Sequence, residues 1–553
     1  MTSRDQYHFL DQDIKDVSWG NVDSDWTPPQ ALPDLSQFKT VSIDLETKDT
    51  NLLTLGPGWT RKDGYVIGVA VAAGDSAWYF PIAHKSGNMS KNIVYKWLQK
   101  LCDDHTITKV FHNALYDLGW LRAEGIEVKG KIIDTMIAAP LLDENRKWYN
   151  LNSLARDYLG EFKDEKLLKS AAEEFGVDPK SGMWQLPPRY VGKYAEQDAL
   201  ITLKLWDNLS KKITQQECSS IFELEIDLLP VLFEMKTKGV RVDVEKAHQT
   251  KKDLTKIEKL LVEEISKETG VTVEPWVATS VAKVFDAVGI SYSRTEKSGA
   301  PMFTKQSLAN NTHPIAQKII KIREINKANT TFVDTILQHS HNGRIHCDFH
   351  SLRSDGGGTV TGRFSSSNPN LQQIPARDPE IKKLIRGLFI PEEGHKWGSF
   401  DYASQEPRWL VHYCATLTGV DKHPQIDDVV KMYHEGNADF HQMVADMANI
   451  PRKQAKTVNL GLMYGMGKAK LANVMDIDVE EAEKLLETYN EKVPFLKSLS
   501  EKAMNRAKEH GVIRTWLGRK CRFDMYEPVS YGFNRALPME QAIKEYGSKG
   551  RIR

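Results

Sequence analysis

The alternation of apolar and polar residues is clearest near the start of the chain. Thr40-Val-Ser-Ile-Asp44 alternates with period two and predicts a half-buried strand. Tyr65-Val-Ile-Gly-Val-Ala-Val-Ala72 is continuously apolar and predicts a buried strand, with Ser76-Ala-Trp-Tyr-Phe-Pro-Ile82 following as another. Helical spacing over residues 92–101 precedes a short strand at Lys109-Val-Phe111. Strands first, then helices to about residue 215, predict an α/β domain on a mixed sheet. Ahead of it, residues 1–36 are polar, with Trp19, Trp26, Pro28, Pro29 and Pro33, and read as an arm. Residues 215–340 are mostly helical, and residues 244–267 carry Lys, Glu, Leu and Ile at the spacing of long solvated helices. Gly356-Gly-Gly-Thr-Val-Thr-Gly362 reads as a loop. Residues 397–411 read as a strand, a turn and a helix start, and 440–510 as helices broken near Gly465 and Gly467.

Composition narrows the class. The 553 residues suffice for about three or four domains at roughly 100–200 residues each. Hydrophobic residues make up 41%, enough to bury a sizeable core. Lys+Arg and Asp+Glu both number 74, so any basic surface for nucleic acid must be local. Five cysteines without a CxxC pair exclude a disulfide framework and a zinc finger, and fit a reducing compartment. The charged N-terminus and the lack of any apolar run near ~20 residues argue against a signal peptide or membrane span. A large cytoplasmic enzyme is expected.

Chemistry enters with the carboxylates. In Ile43-Asp44-Leu45-Glu46-Thr47, residues two apart on a strand project to one face, which pairs Asp44 with Glu46. Two adjacent carboxylates repel unless a cation lies between them, and oxygen ligands suit Mg²⁺ or Mn²⁺. Phe111-His-Asn113-Ala-Leu-Tyr116-Asp117 sets a further acid on a turn-to-helix segment, and Tyr194-Ala-Glu-Gln-Asp198 sets Tyr and Asp on one helix face. Four acids and a tyrosine can hold two metals about 3.5–4 Å apart, the geometry of in-line phosphodiester cleavage. Over residues 37–210 these segments resemble the tyrosine subclass of the DEDD proofreading 3′–5′ exonucleases. The resemblance implies that Asp44, Glu46, Asp117 and Asp198 bind metal, that Tyr194 orients the attacking water and that Asn113 helps to position DNA.

A second constellation follows. Ser399-Phe-Asp401-Tyr-Ala-Ser-Gln-Glu406-Pro-Arg408 begins as an apolar strand expected to deliver Asp401 at its end. In the segment from Pro451 to Gly465, Arg452, Lys456, Leu460 and Tyr464 step by four, so they form a row on one helix surface. Pro451 suits the start of that helix and Gly465 its end. The row offers two cations for a triphosphate and an apolar, aromatic surface for a base. The loop 361–377, with Arg363, Asn370 and Gln372, is rich in hydrogen-bonding side chains suited to phosphate and minor-groove contacts.

Together these motifs resemble family A DNA polymerases of the DNA polymerase I type, in a phage-like variant. The implied fold is multidomain α/β and α: an RNase H-like exonuclease domain at 37–215, then thumb (216–345), first part of the palm (346–415) and incomplete fingers (416–553) of a right-hand polymerase. The resemblance assigns Asp401 to two catalytic Mg²⁺ ions and Glu406 to the gate against a ribose 2′-OH. It assigns Arg452, Lys456 and His441 to the triphosphate, Tyr464 to the template base, and Arg363, Asn370 and Gln372 to primer–template DNA. Leu460 departs from the pattern, standing where many relatives carry an aromatic residue. A second departure is the lack of a His-Asp-Glu triplet anywhere in the sequence. The chain is therefore expected to stop inside the polymerase domain and to need a second polypeptide with the missing palm acid, leaving the Asp401 strand without neighbours. Expected partners are primer–template DNA, dNTPs and that fragment. A stand-alone 3′–5′ exonuclease and a non-enzymatic primer–template-binding remnant are the alternatives.

Overall fold

The computed structural model describes residues 23–376, 378–417, 422–436, 439–475, 477–527, 537–546 and 551–552. The chain divides into two compact units. The first runs to Lys396 and includes Leu517–Arg519; the second covers Trp397–Trp516 and continues from Lys520. That division runs through the 346–415 stretch.

The first unit is built on a five-stranded sheet of β1 (Thr40–Asp49), β2 (Gly64–Ala73), β3 (Ser76–Pro81), β4 (Thr108–Phe111) and β5 (Ile132–Asp134), in the order β3-β2-β1-β4-β5. β1 pairs antiparallel with β2 and parallel with β4, which makes the sheet mixed, as the pattern of strands and helices predicts. Val41, Ile43 and Leu45 bury one face of β1 in the larger core cluster. The other face, with Ser42, meets helix Gly192–Gln215, where Ala195 and Ala199 are fully buried. Small side chains let that helix lie close enough for the Ser42 hydroxyl to donate to the Ala199 carbonyl at 2.6 Å. The described part of the 1–36 stretch is not loose: Trp26 is buried in the core between this helix and the sheet, and its indole N–H donates to Glu196 at 3.0 Å.

The remainder of this unit is largely helical, with helices Ser219–Lys238, Val244–Thr269 and Pro314–Lys327 the longest. The second unit is helical around a core of Val411, Ile426, Val444, Val458, Leu471, Tyr489 and Phe495. Residues 397–401 form no strand, contrary to the expectation from their apolar pattern. Trp397 is 61% exposed and Phe400 97% exposed, and no described strand pairs with this stretch to supply the ladder bonds that a strand needs. Among the described residues no helix is long and apolar enough to cross a membrane.

Candidate active sites

β1 and helix Gly192–Gln215 bring the first set of acids together. Asp44, Glu46 and Asp198 each offer an oxygen, and these atoms lie within 4.8 Å of one another. The β1–β2 register shifts directly after Glu46, and pairing resumes with Thr47 opposite Val66. Asp117 enters from helix Ala114–Ala123 and is buried, and its Oδ1 accepts the Leu45 backbone N–H at 3.1 Å. It thus reaches β1 between Asp44 and Glu46, although it lies outside the tight group of three.

Burial acts on all four acids in the same direction. The Asp44 carboxyl is pushed up to about 7, first by burial and then by the Asp198 charge, with Lys163 opposing. Burial likewise raises Glu46, Asp117 and Asp198, and neighbouring carboxylates add to it. Asp198 Oδ1 is buried without a hydrogen-bond partner among the described residues. A cluster of hard oxygen donors that repel one another, one of them unsatisfied, fits a divalent cation such as Mg²⁺ or Mn²⁺.

Two residues of this site carry no sequence signal. Lys163 is buried and donates to Asp198 Oδ2 at 2.5 Å and to the Tyr194 hydroxyl at 3.2 Å, with its ammonium 4.5 Å from the centre of the Tyr194 ring. In the sequence it is one cation in an ordinary charged stretch, Phe162-Lys-Asp-Glu165. Asp134, at the end of β5, holds the turn before the Asp117 helix: its Oδ1 accepts from Asn113 N at 3.0 Å and its Oδ2 from Ala114 N at 2.8 Å. Asn113 takes the left-handed conformation there, with φ 73°, and its exposed side chain lines a cavity of about 650 Å³ with Tyr116, Lys180 and Lys236.

In the second unit, Pro451 and Gly465 flank helix Arg452–Met463, as their positions predict. Ala455, Val458 and Asn459 bury one face; Arg452 and Lys456 are exposed on the other, Leu460 is half-buried and Tyr464 is exposed. Arg452 Nε donates to Asp439 Oδ2 at 2.8 Å, and the same carboxylate caps helix Phe440–Ala448 at His441 N. The Tyr464 hydroxyl donates to Glu406 Oε1 at 2.6 Å, which joins the end of this helix to the start of helix Gln405–Thr416. Asp401 is exposed in the irregular stretch before that helix.

Arg363, Asn370 and Gln372 belong to the first unit and are exposed. Asn370 Oδ1 accepts from Gln372 N at 3.0 Å and from Ser366 Oγ at 3.2 Å, and Gln372 Nε2 donates to Phe364 O at 3.1 Å. Asn370 and Gln372 therefore shape their own loop.

Comparisons with known proteins identify the family. The description "DNA polymerase family A" matches residues 244–539, and "3′-5′ exonuclease" matches residues 21–214. The chain belongs to the family A DNA polymerases and carries a 3′–5′ exonuclease domain. It is 35% identical over 576 aligned residues to a DNA-directed DNA polymerase of Pseudomonas phage M6, covering 93% of this chain and 86% of the relative. It is 30% identical to the DNA polymerase DpoZ of Acinetobacter phage SH-Ab 15497, covering 89% of this chain and 83% of the relative. In fold it is similar to the POL domain of Pol1 from M. smegmatis, solved in complex with DNA primer-template and dNTP. That match has a TM-score of 0.68 at 20% identity and covers 88% of this chain and 79% of the other.

Proposed function

We propose that the chain couples template-directed DNA synthesis to 3′–5′ proofreading, with Asp44, Glu46, Asp117 and Asp198 as the hydrolytic acids. The observation that carries the nuclease half is the convergence of Asp44, Glu46 and Asp198 within 4.8 Å. Asp44, Glu46, Asp117 and Asp198 would hold two Mg²⁺ or Mn²⁺ ions, which supply charge for the attacking and leaving oxygens of the phosphodiester. The protein's own part is orientation. The Tyr194 hydroxyl, which accepts a hydrogen bond from Lys163, would orient the attacking water, and Asn113 would hold the strand end.

For synthesis, Arg452, Lys456 and His441 bind the triphosphate, Tyr464 and Leu460 face the base pair, and Glu406 limits the sugar to 2′-deoxy. Asp401 would hold the ions of that site, and Arg363, Asn370 and Gln372 follow the primer–template. The exposed cations of helix Arg452–Met463, set on a buried Ala455–Val458–Asn459 face, support this reading. Residues 216–345 are assigned to the thumb, 346–415 to the first part of the palm and 416–553 to the fingers, and the protein is assigned to the cytoplasm. Trp397 and Phe400, exposed beside Asp401, support one finer element: a second polypeptide that pairs with this stretch and brings a further acid.

The test is direct. Asp44→Ala should slow release of nucleotides from a single-stranded 3′ end at least about a hundredfold, as for losing one group that stabilises transition-state charge. Unchanged release would sink the nuclease assignment. Primer extension by this chain alone, at the rate reached with an added complementary fragment, would remove the second polypeptide from the account.

A further inference from the structure

Behind the exposed cations of the second unit stand three buried polar side chains from three helices. Tyr489 is on helix Val479–Lys492, Asn459 on Arg452–Met463 and His441 on Phe440–Ala448, and none is more than 4% exposed. The Tyr489 hydroxyl donates to Asn459 Oδ1 at 3.0 Å, and Asn459 Nδ2 lies 3.0 Å from His441 Nδ1.

The phenol gives this chain a direction. A buried O–H without an acceptor is costly, and Asn459 Oδ1 is the acceptor that Tyr489 has among the described residues. The amide must then turn its oxygen to Tyr489 and its N–H to His441. His441 Nδ1 accepts that N–H, so the ring's proton sits on Nε2. A proton on Nδ1 would set N–H against N–H, which disfavours the imidazolium. Burial, Arg452 and Lys456 act in the same sense, against Asp439. Asp439 also ties the His441 backbone to the cation row, because its carboxylate accepts from both the His441 backbone N–H and Arg452 Nε. No hydrogen bond engages Nε2 among the described residues.

We propose that Tyr489 and Asn459 are positioning residues that fix His441 as an Nε2–H donor, beside Arg452, for a phosphate oxygen of the incoming nucleoside triphosphate. This rests on the triphosphate reading of Arg452 and Lys456 and deepens it. With the opposite tautomer, Nε2 would turn a lone pair towards the phosphate and repel it.

The test uses the full chain labelled with ¹⁵N-histidine. Two-bond ¹H–¹⁵N spectra, assigned with His441→Gln, report which ring nitrogen carries the proton, and dTTP affinity is titrated beside primer–template DNA. Wild type should show Nε2 protonated and Nδ1 bare. In Tyr489→Phe and Asn459→Leu the tautomers should mix, and dTTP affinity should fall about three- to tenfold, the net share of one hydrogen bond. Tyr489→Phe keeps the packed ring and so tests the relay even if Asn459→Leu fails to fold. A wild-type spectrum with the proton on Nδ1 overturns the proposal. So does wild-type affinity in both relay variants while Lys456→Ala binds weakly, a result that leaves the triphosphate reading standing. If Lys456→Ala also binds normally, the triphosphate reading itself fails and the proposal falls with it.

Discussion

Lys163 shows how much one buried side chain can decide. Its ammonium compensates the Asp198 carboxylate and touches the Tyr194 hydroxyl, so it links an acid of the cluster to the tyrosine proposed to orient water. Removing one partner of a buried ion pair leaves the other charge uncompensated. Lys163→Met should therefore lower the stability of the exonuclease domain by about 3 kcal/mol in the presence of a chelator. Added Mg²⁺ should restore part of that loss, because the cation takes over the compensation. Calorimetry with and without Mg²⁺ measures both terms, and identical transitions for variant and wild type under chelator would rule the compensation out. Lys163 and Asp134 were not legible in the sequence because each is a single charged residue among many, and only the folded chain gives them partners. Asp44, Glu46, Tyr194 and Asp198 were legible as groups, because strand and helix periodicity put each pair on one face.

The elements decide where those pairs point. β1 carries Asp44 opposite Ala70 and Glu46 opposite Gly68 of β2. A Cβ on Gly68 would lie 2.0 Å from the Tyr79 hydroxyl oxygen, so any side chain there must displace a buried ring. Gly68→Val should cost about 1–3 kcal/mol as an overpacked site, and it should lower nuclease activity by moving β1 under Glu46. Thermal unfolding and 3′-end release measure the two effects, and a variant as stable and active as wild type would show that the ring yields freely. Elements with a strong local pattern were readable from the sequence. The alternation at Thr40–Asp44 and the run at 65–72 became β1 and β2, and Pro451 and Gly465 bracket the cation-bearing helix. The stretch 397–401 shows the limit of such reading. Its apolar pattern satisfies a strand template, but a strand also needs neighbours to bond with, and the described chain offers none there. Helix Gly192–Gln215 shows another limit, since its approach to β1 depends on Ala195 and Ala199 meeting one particular face of the sheet.

At the scale of the molecule, the chain has no net charge and divides into two compact units. The polymerase match, residues 244–539, runs across both units, whereas the exonuclease match, residues 21–214, lies within the first. The central proposal is that acids distant in sequence converge to hold divalent cations, and the acid cluster of the first unit makes it measurable. Because the Asp44 carboxyl is pushed up to about 7, protons compete with the cation below that pH. The most direct measurement is a Mn²⁺ titration of the full chain followed by electron paramagnetic resonance, in wild type, Asp44→Asn and Asp198→Asn. A Mn²⁺ site is expected that either substitution weakens and that loses affinity as pH falls below about 7. A site that both variants retain at wild-type affinity, or one indifferent to pH, would contradict it.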